Sequence, residues 1–191
     1  MKEKIFDFIK KNKIFIRFFS ILIVLIIVLV VLFKYFISPI IVIGESMYPT
    51  INAGDFILAN TTESAIDEIE RFDLVVLKYK YDNKHSYIKR VIGLPGDSVK
   101  IVNNVIYING EELSEYYGYY NEELEGKVND SFINMSEIKL KIDEYFVMGD
   151  NRYTSIDSRN EDFGTLNRDD IIGIAKYRIW PLNSFGSLEY Q

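Results

Sequence analysis

Residues 87–108 read YIKRVIGLPGDSVKIVNNVIYI. Three runs of β-branched and aromatic residues, Tyr87–Ile92, Val99–Val102 and Val105–Ile108, alternate with steps rich in Gly, Pro, Asp and Asn. That is the composition of strands punctuated by turns. Asn103-Asn104 and the following Asn109-Gly110 suit tight turns, because Asn and Gly tolerate a left-handed backbone, so residues 98–108 predict a β-hairpin. On a strand alternate side chains share a face, which puts Lys89 with Tyr87 and Val91 while Arg90 faces away. If the shared face is the packed one, Lys89 sits among apolar side chains. Burial disfavours its ammonium and lowers its pKa.

The same texture continues outward in Ile40–Ile43, Phe56–Ala59, Leu74–Tyr79, Tyr145–Met148 and Ile171–Ile179. Helical periodicity is confined to Ser64–Glu70, so the outer part predicts a mainly antiparallel β-domain, a partly closed barrel or sandwich. Arg71–Leu77 reads as a turn leading into a buried strand. Residues 111–130, EELSEYYGYYNEELEGKVND, are acidic, Tyr-rich and poor in aliphatics. They read as a solvated surface excursion, with a peptide-contacting surface as the alternative.

Toward the amino terminus the texture changes. Residues 18–33, FFSILIVLIIVLVVLF, are apolar except for Ser20, and the apolar stretch extends past Arg17 and Lys34 to cover residues 14–37. About 20 helical residues cross a ~30 Å hydrocarbon core. A cleavable signal would have an apolar run of only about 7–15 residues and a small-x-small cleavage site; here KYFISPI follows instead. Lys2, Lys4, Lys10, Lys11, Lys13 and Arg17, opposed by Glu3 and Asp7, mark the cytoplasmic flank. The expected organisation is a cytoplasmic tail (1–13), a single-pass anchor (14–37) in the cell membrane and an extracytoplasmic domain (38–191).

The 191 residues carry 22 Lys+Arg against 28 Asp+Glu, a net charge of −6. Without the seven basic and two acidic residues named around the anchor, the outer part holds 15 against 26, or −11. Such a balance argues against nucleic acid as a partner. The absence of Cys excludes disulfides, thiol nucleophiles and Cys-ligated zinc, and a single His (His85) leaves no multi-His metal site. Neither a metal nor an organic cofactor is expected.

Two further segments carry chemistry. Residues 44–50, GESMYPT, place Ser46 between a flexible Gly44 and a rigid Pro49. A serine nucleophile needs a base, and its own backbone N–H can help receive an oxyanion. Residues 149–159, GDNRYTSIDSR, follow the apolar strand 145–148 directly. Ser155, Asp157 and Arg159 stand two apart and would line one face of an extended segment. Ser155 could then hydrogen-bond a neutral Lys89 amine while Asp157 and Arg159 form an ion pair.

Together SMYPT, YIKRVIGLPGD and GDNRYTSIDSR, in this order behind an anchor, resemble the bacterial type I signal peptidases, membrane-bound serine endopeptidases with a Ser/Lys dyad. The resemblance implies Ser46 as nucleophile, Lys89 as general base, Ser155 as the residue that orients the base, and Asp157 and Arg159 as a supporting ion pair. It also implies the Ser46 N–H as an oxyanion donor, and Met47, Tyr87 and Ile88 as borders of a substrate groove. Gly44 stands where some members carry a hydroxyl that assists the oxyanion hole, and Phe72 where a glycine is usual. The implied fold is a largely β catalytic core with an inserted smaller β-region, here 103–141. The implied substrates are exported preproteins bearing signal peptides, with small residues one and three positions before the cut. The lipid bilayer and nearby secretion machinery are the other implied partners. Three alternatives stand beside this reading. One is a self-cleaving Ser/Lys protease of similar fold, and another a catalytically silent, membrane-tethered peptide-binding module. The third is a Ser-His-Asp hydrolase using His85, which shares strand parity with Lys89 within DNKHS.

Overall fold

A computed structural model describes residues 12–79, 82–124 and 133–188. The chain divides into two units, the first ending at Ile37. Of the expected tail 1–13, residues 1–11 lie outside the described part. Helix α1, Lys13–Tyr35, is 23 residues of almost unbroken apolar sequence. Its apolar side chains are unburied by the chain itself, and residues 13–33 are long and apolar enough to cross a membrane. Ser20, the polar residue within the 18–33 run, is satisfied inside the helix by donating to the Ile16 carbonyl at 2.8 Å.

The second unit, from Ser38 onward, is built from short strands, the first of which begins one residue before the boundary: β1 Ile37–Ile41, β2 Phe56–Asn60, β3 Leu74–Tyr79, β4 Asp82–Gly93, β5 Ser98–Val102, β6 Val105–Ile108, β7 Glu111–Glu112, β8 Met135–Lys139, β9 Glu144–Met148, β10 Leu166–Asn167, β11 Ile171–Trp180 and β12 Gly186–Ser187. The larger sheet has the order β1-β2-β11-β3-β4-β9-β10, with β12 on β11; the smaller has the order β7-β6-β5-β8. The pairings from β2 onward are antiparallel, so the mainly β, antiparallel class expected from the sequence is the one observed. The 98–108 hairpin forms, with Asn103 (φ 51°) and Asn104 (φ 67°) both left-handed at its turn. The smaller sheet runs from Ser98 to Lys139, so it takes in β5 as well as strands from the 103–141 stretch.

Strand β4 is the axis of the larger sheet, between β3 and β9. One of its faces joins the core formed by Val75, Leu77, Val91, Val147 and Ile171. The other face is covered too: Ile88 packs with Met47 and Ile51, and Ile92 with Phe146, Met148 and the small-sheet residues Val99, Ile101 and Ile106. Both faces being buried explains the near-continuous apolar character of β3 and β9. The single helical turn α2 is shorter than expected, Glu63–Asp67, where the Thr62 hydroxyl accepts from the Ala65 N–H. Strands β7, β10 and β12, two residues each, were too short to show as sequence runs.

Candidate active site

Ser46 lies in the turn between β1 and β2. Residues Met47 and Ile51, both buried, peg that turn into the core below. The Ile51 N–H donates to the Met47 carbonyl at 2.9 Å and the Tyr48 N–H to the Glu45 carbonyl at 3.1 Å. Gly44, two residues before Ser46, has φ +105°, and a Cβ built there would meet nothing within 4 Å. The space would admit a side chain, but the left-handed backbone favours glycine. A second clamp comes from residues 149–152: the Asn151 N–H donates to the Ser46 carbonyl at 3.0 Å, and Asn151 Nδ2 to the Glu45 carbonyl at 3.2 Å.

Lys89 stands at the middle of β4, opposite Val75, and is only 2% exposed. The alternation of β4 does put it on the apolar face with Tyr87 and Val91. Its Nζ donates to Ser155 Oγ at 2.9 Å. Desolvation brings the Lys89 pKa from its ordinary 10.5 down to about 8; Asp157 partly opposes the fall, Arg159 adds to it, and Asp150 opposes it more weakly. Ser46 Oγ and Lys89 Nζ are not hydrogen-bonded to each other, which is common before substrate draws catalytic groups together.

Ser155, Asp157 and Arg159 are all buried, but not on an extended strand. Residues 151–164 form successive turns, and the three side chains converge because turns, not strand alternation, aim them inward. Arg159 grips Asp157 with Nε on Oδ1 and Nη2 on Oδ2, both at 2.8 Å, and the Gly149 N–H adds a 2.9 Å bond to Oδ2. Burial pushes the Asp157 carboxyl upward, yet the Arg159 guanidinium, Lys89 and the Gly149 N–H together hold it below the usual carboxylate range. Gly149 is required for space: a Cβ there would overlap both the Ser155 side chain and the Ser46 carbonyl. Through Gly149 and Asn151 the Ser46 turn is therefore seated against the hydroxyl that meets Lys89.

Beside Ser46 opens a groove of about 440 Å³, lined by residues 38–44 together with Ser46, Met47, Ser86, Tyr87 and Ile88. Met47, Tyr87 and Ile88 thus stand together on its wall. The His85 side chain lies outside the described residues; its backbone is four residues from Lys89 along β4, about 13 Å at the usual rise.

Three features escaped the sequence reading. Arg90 faces away from Lys89 but not toward water: it is 3% exposed, with Nε and Nη2 on Asp150 at 2.8 and 2.6 Å and its guanidinium 4.0 Å from the Tyr117 ring centre. Phe72 is left-handed (φ 80°), a conformation in which glycine would be unstrained. It is held there by its carbonyl accepting from Arg90 at 2.9 Å and its ring packing edge-on against Tyr117. Finally, the described part of the Tyr-rich stretch is solvated only in part: Glu111, Glu112, Ser114, Tyr116, Glu122 and Glu123 are exposed as expected, but other residues turn inward. Tyr117 is buried and Tyr119 forms a parallel bridge with Asn151.

Residues 15–180 match the family model described as signal peptidase, peptidase S26. The chain belongs to this family. Among curated relatives, this family member is 40% identical to signal peptidase I S of Bacillus subtilis (strain 168), over 84% of this chain and 87% of that one. It is 35% identical to signal peptidase I P of Bacillus subtilis subsp. natto, over 96% of each. A solved signal peptidase I from Enterococcus faecalis matches at 30% identity and a TM-score of 0.43, covering 56% of this chain and 96% of that one. Signal peptidase family membership bears out the serine-endopeptidase class that the three motifs implied.

Proposed function

We propose that this signal peptidase is anchored by residues 14–37 with its amino terminus (1–13) in the cytoplasm, and that residues 38–191 work on the outer side. There it removes signal peptides from exported preproteins held in the same bilayer, through a Ser46/Lys89 dyad. Co-anchoring raises the local concentration of enzyme and substrate, which relaxes the demand on intrinsic affinity.

The observation that carries this reading is the lysine: a cation that sinks to 2% exposure with a hydroxyl, not a carboxylate, as its hydrogen-bond partner. Burial brings the pKa of such an amine down to about 8, so a usable fraction is neutral near working pH and can accept a proton. An extended substrate lies along the groove by main-chain hydrogen bonding, with Met47, Tyr87 and Ile88 shaping shallow apolar pockets for small side chains. Ser46 Oγ attacks the scissile carbonyl while Lys89 Nζ takes its proton. The tetrahedral oxyanion is received by the Ser46 N–H, with Gly44 leaving the approach open. Lys89 then gives its proton to the leaving amine, and the acyl-enzyme on Ser46 is hydrolysed by a water that Lys89 deprotonates in turn. Ser155 holds the amine in line, while Asp157 and Arg159 fix the loop that carries Ser155.

The test is cleavage of a purified preprotein by the detergent-solubilised full chain, with the product masses giving the cut position. The reading expects a single cut after a small residue, lost in Ser46→Ala and in Lys89→Ala. Peptide binding without cleavage would favour the silent module, and cleavage only of the enzyme's own chain would favour the self-processing protease.

A further inference from the structure

Residues 115–120 grip the loop that seats Ser46. The Glu115 carboxylate takes both terminal nitrogens of Arg152, Nη1 on Oε1 and Nη2 on Oε2, the latter at 2.6 Å. Arg152 is wholly buried. Its Nε also donates to the Gly149 carbonyl at 3.1 Å and its Nη1 to the Tyr120 hydroxyl at 3.3 Å. Two backbone bonds run beside them: the Tyr119 N–H to the Asp150 carbonyl at 2.7 Å and the Arg152 N–H to the Tyr119 carbonyl at 2.8 Å. Gly149 and Asn151, held from this side, face the site on the other. The Asn151 N–H binds the Ser46 carbonyl at 3.0 Å, and Gly149 is wedged between that carbonyl and Ser155.

A buried ion pair is poor evidence of stabilisation, because apolar residues of similar volume do as well or better. What a bidentate carboxylate does supply is geometry, since it fixes both the distance and the plane of the guanidinium. We propose that Glu115 is a positioning residue for the peptidase reaction. Acting through Arg152, it holds residues 149–151 in place and so keeps the Ser46 main chain in register with Ser155, the partner of Lys89. The inference rests on the Ser46/Lys89 reading above. Glu115 touches no reacting atom in it.

The experiment uses the full chain in detergent with a preprotein substrate, and compares Glu115→Gln with the double variant Glu115→Met, Arg152→Met. The double variant removes both charges at nearly constant volume. Thermal melts give the folded fraction, to which kcat is normalised. The expected result is a double variant that melts no lower than the parent, yet has kcat down about tenfold or more with KM within about twofold, as misplacement of reacting groups produces. Glu115→Gln should show the same split, and it decides alone if the double variant does not fold. Parental kcat per folded molecule in either variant overturns the proposal. So does a loss of kcat in Glu115→Gln that returns together with stability in the double variant. A Ser46→Ala control that keeps turning over would overturn the Ser46/Lys89 reading instead, a failure visible separately.

Discussion

Strand β4 carries two cations side by side, Lys89 and Arg90, one on each face, and both are almost fully buried. Arg90 has a bidentate carboxylate in contact, Asp150, which itself takes a 2.6 Å bond from the Thr50 hydroxyl. Lys89 has a hydroxyl and, further off, an Asp157 already occupied by Arg159. The difference teaches that burial alone does not decide what a basic residue does. A guanidinium with its counter-ion stays charged and acts as a strut. An ammonium denied a contacting counter-ion gives up its proton more easily, and its pKa falls to about 8. Under the proposed Ser46/Lys89 dyad, a firmly paired cation on one face and a cation with a weakened hold on its proton on the other make the two faces of a single strand structural and chemical respectively.

The largest expected effects break the chemical face. Ser46→Ala and Lys89→Ala should each lower kcat by about 10⁴-fold or more while leaving the domain folded. Lys89→Arg should be as inactive, because a guanidinium does not deprotonate in the working range. If Lys89→Ala kept near-normal turnover while His85→Ala lost it, the roles would have to be reassigned to His85. The pH profile sharpens the same point. Activity should fall about tenfold per pH unit below a limb near the Lys89 pKa of about 8, and a rate flat down to about pH 4 would contradict an amine base. Ser155→Ala should cost less, about 10²-fold in kcat, by letting the amine swing out of line.

The opposite face should answer in stability. Arg90→Met strands the Asp150 carboxylate in a dry site, and removing one member of a buried pair costs about 3–5 kcal/mol. Urea melts should show that loss. A melt unchanged from the parent would mean that Asp150 finds water, and that the strut is dispensable.

What the sequence could and could not disclose follows from the range of the forces involved. Lys89 was legible because strand alternation is local and the β-character of residues 87–92 is strong. The hairpin at 98–108 was legible because its turn chemistry lies in adjacent asparagines. Arg90 was placed on the correct face, but its burial was not legible because the residues that cover that face, Asp150 and Tyr117, come from segments 60 and 27 positions away, and no periodicity reports on them. The 149–159 loop was given the right residues and the wrong backbone: spacing by two fits a strand, but bidentate closure of Arg159 on Asp157 is reached here within a turn. The Tyr-rich stretch looked solvated because its composition is acidic, whereas its Glu115 is consumed by a buried arginine that composition cannot assign. Phe72 was noticed as standing where a glycine is usual, but what holds its left-handed backbone (φ 80°), packing from Tyr117 and a bond from Arg90, was not legible for the same reason.

The smallest effect is also the most discriminating, because the same substitution on the two neighbours should move stability in opposite directions. With a folded pKa of about 8 against an ordinary 10.5, Lys89 binds fewer protons in the folded state than in the unfolded state between those values. Stability therefore rises with pH across that window, and below it the folded state carries the cost of burying an ammonium, about 3 kcal/mol at 1.36 kcal/mol per unit. Lys89→Met removes the charge at similar length, so near pH 7 it should be more stable than the parent. The gain should approach about 3 kcal/mol less the lost bond to Ser155, itself worth about 1 kcal/mol. Between pH 8 and 10.5 the parent should catch up as its own lysine neutralises. Taking the difference between variant and parent cancels the other titrating groups that both share. A difference that stays constant from about pH 7 to 10.5 would mean the folded-state amine titrates as it does in water, and the contrast with Arg90 would then reduce to one of geometry alone.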